Sequence, residues 1–202
     1  MRSNMMLLMA AAIWGLDFVA QRLGMDHMGP FTFNGLRFLL GALSLLPLLW
    51  WLKSRQPKPQ PGSPSGDRRL LLVGGLIAGG VLFSAASLQQ VGLLYTTAAK
   101  AGFITGLYII LVPVIGLALR HKTGVNTWVG ALIAMAGLYY LSVTEEFTIG
   151  YGDLLQVIGA LFWAIHLLVL DHYSNRVAPI RLAGVQFVVC GLLSLGTAFV
   201  IE

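Results

Sequence analysis

Seven stretches of apolar residues, separated by short polar breaks, set the pattern of this chain. They cover about Met5–Gln21, Phe31–Leu52, Leu70–Leu94, Ala98–Leu119, Val125–Val143, Leu154–Leu170 and Leu182–Ile201. Each approaches the roughly 20 residues that a helix rising about 1.5 Å per residue needs to cross a bilayer. The runs just short of that length are flanked by side chains able to snorkel to the surface. The pattern predicts an all-α integral membrane protein, a bundle of about seven transmembrane helices. No globular domain fits between the runs. The longest polar break, Lys53–Arg69, reads KSRQPKPQPGSPSGDRR, and its Pro, Ser and Gly mark a flexible linker.

The stretch Leu88–Gly116, LQQVGLLYTTAAKAGFITGLYIILVPVIG, departs from plain lipid-facing sequence. Its apolar run starts at Ala98, carries Lys100 near its start and Gly102-x-x-x-Gly106 after it, and contains Pro113. Small residues let helices approach closely, and proline frees a backbone carbonyl that lipid cannot satisfy. This segment is expected to face other helices or a cavity. Gly75-x-x-x-Gly79 and the Gly130/Ala134 pair are further small-residue spacings suited to close helix contact.

Composition turns this pattern into a membrane assignment. Of 202 residues, 57% are hydrophobic and 10% charged, with mean hydropathy +0.80, against about 25% charge in a soluble domain. The net charge of +5 argues for nucleic acid only if it forms a basic face. Here the basic residues sit in short loops between apolar runs, so no nucleic-acid partner is expected. Arg2, Lys53, Arg55, Lys58, Arg68, Arg69, Arg120, Lys122, Arg176 and Arg181 fall in alternate flanks. The intervening flanks hold Arg22, Asp26, Glu145, Glu146 and Asp153. The positive-inside rule then places the N-terminus in the cytoplasm of an inner (plasma) membrane protein and Glu202 outside. Cys190 is the single cysteine, so no internal disulfide forms, and its apolar setting points to packing. Arg2 precedes an apolar run as in a signal peptide, but Trp14, Asp17 and the continuing apolar stretch favour a retained first helix.

A repeat is visible without gaps. Trp14 matches Trp163 and Pro30 matches Pro179, both at an offset of 149 (163 − 14 and 179 − 30). Ala11/Ala160, Gly35/Gly184, Phe38/Phe187, Leu43/Leu192 and Leu46/Leu195 share that offset. Five runs separate the starts of the two copies, and an odd number reverses the second copy in the membrane. Inverted-topology repeats are typical of secondary transporters, whose substrate site lies near the midplane between repeats. The expected units are 1–144, one five-helix repeat, and 150–202, the first two helices of a second. A fragment of a longer protein, or self-association of two copies, would accommodate the shortened second unit.

The residues themselves resemble a known family. WGLDFVAQRLG, GPFTFNGLRFLLGAL and SLQQVGLLYTTAAKAGFITGLYIILVPVIG are similar to the EamA family of the drug/metabolite transporter superfamily. The likeness covers the first five helices and extends more weakly over Gly152–Ile201. It implies ten helices in two inverted five-helix repeats around a central cavity, and the movement of small organic solutes, often amino acids or other metabolites exported from the cell. Against that pattern the chain lacks the last three helices of the second repeat. Asp17 also stands where an uncharged residue is common.

Ionisable residues inside a bilayer point to function or to structural pairing. Asp17 lies seven residues before Gly24 and Arg37 seven after Pro30, so both are about 10 Å below the outer surface. A salt bridge between them is expected, either fastening two helices or serving substrate and gating. The repeat sets His166 opposite Asp17 and Gln186 opposite Arg37. A proton-linked step at His166 and a packed neutral histidine are both open. Gln89 and Gln90 offer amides to a cavity or cap a helix interface. Lys100 either snorkels or pairs with an anionic group of a substrate. Tyr95 suits the interfacial aromatic belt, Tyr108 lies deeper, and Trp14 and Trp163 offer flat walls for a solute or serve packing.

An enzyme is disfavoured, because G-x-S-x-G and H-E-x-x-H do not occur. His27, His121, His166 and His172 are dispersed, so no metal site is expected. A receptor would leave the repeat without a role. The expectation is a secondary transporter of small organic metabolites, an exporter working by alternating access with no organic cofactor. An accessory membrane protein that needs a partner is the alternative.

Overall fold

The computed structural model describes residues 2–55, 68–119, 124–142 and 150–202. Its elements are all helices: α1 (Arg2–Gly24), α2 (Pro30–Arg55), α3 (Arg68–Gly92), α4 (Ala98–Gly106), α5 (Tyr108–Ala118), α6 (Val125–Ser142), α7 (Tyr151–Ser174) and α8 (Pro179–Ile201). No strand occurs among the described residues. α4 and α5 continue one another as the span Ala98–Ala118, so each of the seven apolar runs is helical. Among the described residues α2, α3, α4–α5, α7 and α8 are long and apolar enough to cross a membrane, and the apolar part of α6, Val125–Gly137, is shorter. The protein is a multi-pass helical membrane bundle. Positions 56–67 of the expected linker, and Arg120, Lys122, Glu145 and Glu146 of the charge pattern, lie outside the described residues.

Local chemistry explains the helix ends. Pro30 and Pro179 open α2 and α8, where a fixed φ suits the first turn and the missing N–H would be unpaired anyway. Thr97 caps α4 by accepting from Lys100 N at 3.2 Å. At the start of α7, Asp153 Oδ2 accepts from Gly150 N at 3.0 Å. The helix Ala98–Ala118 is interrupted at Leu107, beside Gly106, rather than at Pro113. There Leu107 N donates to Ile104 O at 3.1 Å, a bond to i−3 that tightens the turn.

The centre is built by α2, α3, α7 and α8, with α3 packed on both α7 and α8 and α2 on α8. Glycine permits the α3–α8 approach: a Cβ at Gly79 would stand 2.6 Å from Val189 Cβ and 2.9 Å from Gln186 O, and one at Gly75 would overlap Val185. At Gly102 and Gly130, by contrast, nothing among the described residues lies within 4 Å of an added Cβ. Phe38, Leu82, Ala86 and Cys190 form a buried cluster, and Phe38 meets Phe187 with ring centroids 5.7 Å apart. The antiparallel α2–α8 contact closes where the Glu202 carboxylate accepts from Phe31 N at 2.7 Å and Thr32 N at 3.0 Å. That places a negative charge on the positive end of the α2 dipole.

α1 is held differently. Met5, Met6, Leu8, Ile13, Trp14, Leu16 and Val19 are all exposed. Asp17, Gln21 and Arg22 tie it to the bundle by polar contacts, and Gly24 lies against the Phe33 ring.

Candidate functional site

One chain of polar side chains runs through the bundle and links α1, α2, α3, α4 and α7. Arg37 Nη1 of α2 donates to Asp17 Oδ2 of α1 at 3.1 Å. Gln21, one turn on from Asp17, donates to the same oxygen at 2.6 Å. The fully buried Gln21 amide also accepts from Gln89 Nε2 of α3 at 3.2 Å. Gln89 Oε1 accepts from Trp163 Nε1 of α7 at 2.9 Å. Gln156 Nε2 of α7 donates to the Gln89 backbone oxygen at 2.9 Å, and its Oε1 accepts from Thr105 Oγ1 of α4 at 3.3 Å. Such groups are costly to desolvate unless paired, so each bond of the chain restricts how the helices can sit. Arg37 also lies over Phe38, 4.9 Å from its ring centroid, where the aromatic face attracts the cation.

A second pair sits at the offset of 149 from the first. His166 Nε2 and Gln186 Oε1 are 2.8 Å apart, and both residues are buried. With Gln186 presenting its carbonyl oxygen, Nε2 carries the proton and donates. Nδ1 of His166 is buried without a hydrogen-bond partner among the described residues, which suits a neutral ring. Trp163 stands edge-on to His166 at 5.8 Å.

A third group lies at the end of the bundle shared by the close of α1 and α3 and the start of α4 and α7. Arg22 Nη1 donates to the backbone oxygens of Leu93 and, at 3.4 Å, Thr96. The Thr96 hydroxyl donates to Asp153 Oδ1, and Lys100 Nζ stands 4.0 Å from Asp153 Oδ2. These residues border an open cavity of about 390 Å³, within the range of small-ligand sites.

The structure therefore joins Asp17, Arg37, Gln89 and Trp163 in one network, pairs His166 with Gln186, and sets Lys100 at the cavity. Gln90 is buried, and neither amide atom has a hydrogen-bond partner among the described residues. It lies one turn after Ala86, whose oxygen accepts from Asn34 Nδ2 at 3.2 Å. Tyr108 is half-buried just past the interruption at Leu107, and Pro113 is buried. Trp14 is 62% exposed and joins none of these groups. Sequence reasoning passed over Gln21, Gln156 and Thr105. Gln21 served only as a run boundary, yet it lies four residues from Asp17 on one helix face. Gln156 and Thr105 are polar interruptions inside apolar runs, a legible signal. Arg22 and Asp153 were weighed only for orientation.

The EamA-like transporter family matches residues 1–143. An uncharacterized transporter of Archaeoglobus fulgidus is 34% identical over 180 residues, covering 88% of this chain and 51% of the relative. The Bacillus subtilis uncharacterized transporter YetK is 31% identical over 135 residues, 66% of this chain and 39% of its own. The Escherichia coli uncharacterized inner membrane transporter YedA is 27% identical over 157 residues, 75% and 47% of the two chains. The chain spans about half the length of these relatives or less. No solved structure matches it. With its helical membrane bundle and a family match over more than half its length, the chain belongs to the EamA-like transporter family.

Proposed function

We propose that this protein is a secondary transporter of small organic metabolites, an exporter working by alternating access, rather than an enzyme. The observation that carries the reading is the buried polar chain Asp17–Gln21–Gln89–Trp163. Polar and ionisable side chains inside a bilayer are costly, and a gathering of them facing the bundle interior marks solute pathways. In this reading the N-terminus is cytoplasmic, the Arg22–Lys100–Asp153 end is extracytoplasmic, and the membrane is the cell's inner membrane.

The repeat supports the mechanism. Asp17–Arg37 and His166–Gln186 are equivalent pairs on equivalent helices, and Phe38 touches its own counterpart, Phe187. Contact between equivalent residues is what a two-fold relation produces. We read α1 to α6 as one repeat and α7–α8 as the start of its inverted copy, which places the pathway between them. The exposed side of α1 favours a second reading, in which a partner or second copy completes the bundle.

Efflux and uptake of a metabolite panel in proteoliposomes test the proposal, comparing the unmodified protein with Asp17→Asn and Lys100→Met. Transport that falls in both variants is the expected result. Equal transport by all three would refute the site assignment, and no transport of any solute would refute the function.

A further inference from the structure

Among the described residues, six buried side-chain polar atoms have no hydrogen-bond partner, and five of them belong to Asn34, Ser87, Gln90 and Ser194. These residues come from α2, α3 and α8, and contacts between the helices bring them together. Asn34 Nδ2 donates to Ala86 O at 3.2 Å, which turns Oδ1 away from that bond. Ser87 follows Ala86 in the chain, and Gln90 lies one turn on from it. A Cβ at Gly35 would stand 3.2 Å from Leu195 N, so the backbone at Asn34–Gly35 lies directly against that at Ser194–Leu195. Ser194 stands one turn after Cys190, whose thiol is only a weak partner. Asn34, Gln90 and Ser194 are each 0% exposed. Gln90 is two residues, about 200° of helical turn, from Gly92, where an added Cβ would stand 3.1 Å from Gly152 O of α7. The group therefore lies on the side of α3 away from α7 and from the segment that precedes α7.

The open atoms are of both kinds. Asn34 Oδ1 and Gln90 Oε1 accept, Gln90 Nε2 donates, and the two hydroxyls do either. A cation would answer only the oxygens, and would stand close to Arg37, one turn after Asn34. An anion would answer only the N–H and O–H groups. Water answers both, and a buried water typically makes about three bonds to groups of this kind. Toward the helix end, Glu202 Oε1 accepts from Phe31 N at 2.7 Å, and Oε2 accepts from Thr32 N at 3.0 Å and Thr32 Oγ1 at 2.6 Å. This exposed carboxylate ties α8 to α2 just ahead of Asn34. We propose that Asn34, Ser87, Gln90 and Ser194 form a water-binding seam between α2, α3 and α8, latched at its end by the Glu202 carboxylate. In the transporter reading, on which this meaning alone rests, α2 parts from α3 and α8 along the seam, because water can bridge polar side chains as their separation changes. Hydration itself is measurable without transport.

Two measurements on the protein in lipid nanodiscs test the seam. In a structure that shows ordered solvent, water is expected within hydrogen-bond distance of Gln90 Nε2 and Asn34 Oδ1, and a dry contact at either would overturn the water site. Ser87→Cys and Ser194→Cys then place near-isosteric thiols in the seam, to be labelled with a small hydrophilic methanethiosulfonate. Labelling about tenfold faster than that of the buried Cys190 in the unmodified protein is expected. It should rise about threefold further with Glu202→Gln, which replaces charge-assisted bonds by neutral ones. Labelling no faster than Cys190 would overturn the seam, and a rate untouched by Glu202→Gln would overturn the latch. The solvent structure needs no variant, so it decides the water site even where a cysteine variant does not fold. A hydrated, latched seam in a protein that transports no solute would keep this inference and remove the transporter reading. Transport by a protein whose seam is dry would do the reverse.

Discussion

The helix pairs α1–α2 and α7–α8 carry matched residues and meet opposite surroundings. Ala160 and Ala164 on α7 are buried against the bundle, whereas their counterparts Ala11 and Gly15 on α1 are exposed. Trp163 donates to Gln89, while Trp14 is 62% exposed. α7 packs along the whole of α3, and among the described residues no helix covers α1 in that way. The charges differ too: the pair that contains the exposed α1 holds the ion pair Asp17–Arg37, and α7–α8 holds the His166–Gln186 hydrogen bond. Where packing is tight, neutral hydrogen bonds suffice. Where it is sparse, α1 is held by charge and amides.

The sharpest way to break this comparison is to disturb the packed side. A Cβ at Gly152 would stand 2.7 Å from Gly92 O and 2.8 Å from the Tyr95 backbone, neither able to rotate away. Gly152→Val is expected to destabilise the protein by about 1–3 kcal/mol, read by denaturant titration in mixed micelles. Trp163→Phe comes next, at about 1 kcal/mol or more, since it leaves Gln89 Oε1 buried without its donor. On the open side, nothing among the described residues lies within 4 Å of a Cβ at Gly15. Gly15→Ala should therefore stabilise α1 by about 0.5–1 kcal/mol through helix propensity alone. Trp14→Phe should change stability by less than about 0.5 kcal/mol. Equal effects at Trp14 and Trp163 would show that the two sides are not different in kind. The smallest effect is expected from the neutral pair: His166→Gln should leave the pH profile of transport unchanged, and a shifted profile would assign the histidine a proton-linked step.

The helices were legible because a run of about 20 apolar residues has few alternatives to a bilayer helix. The Asp17–Arg37 pair was legible too, because both residues lie seven residues from helix ends joined by a short loop. Which face each helix turns inward was not. In lipid, apolar side chains suit both the bundle and the solvent, so hydrophobicity locates helices without orienting them. Trp14 and Trp163 are alike in sequence and differ only in what surrounds them. Gly79 and Gly102 share a motif, yet only Gly79 admits a neighbouring helix. Gln21 and Gln156 escaped notice for a related reason: a polar residue near a run's edge reads as a boundary until the structure turns it inward.

The account stands most directly on Gln89, whose side chain joins α1 to α7. The decisive measurement is solute efflux from proteoliposomes containing Gln89→Met, with folding monitored in the same preparation. Loss of one buried amide leaves Gln21 and Trp163 short of a partner, so efflux is predicted to fall about tenfold or more in a protein that still folds. Undiminished efflux from folded Gln89→Met would contradict the claim that the buried polar chain forms part of the transport pathway.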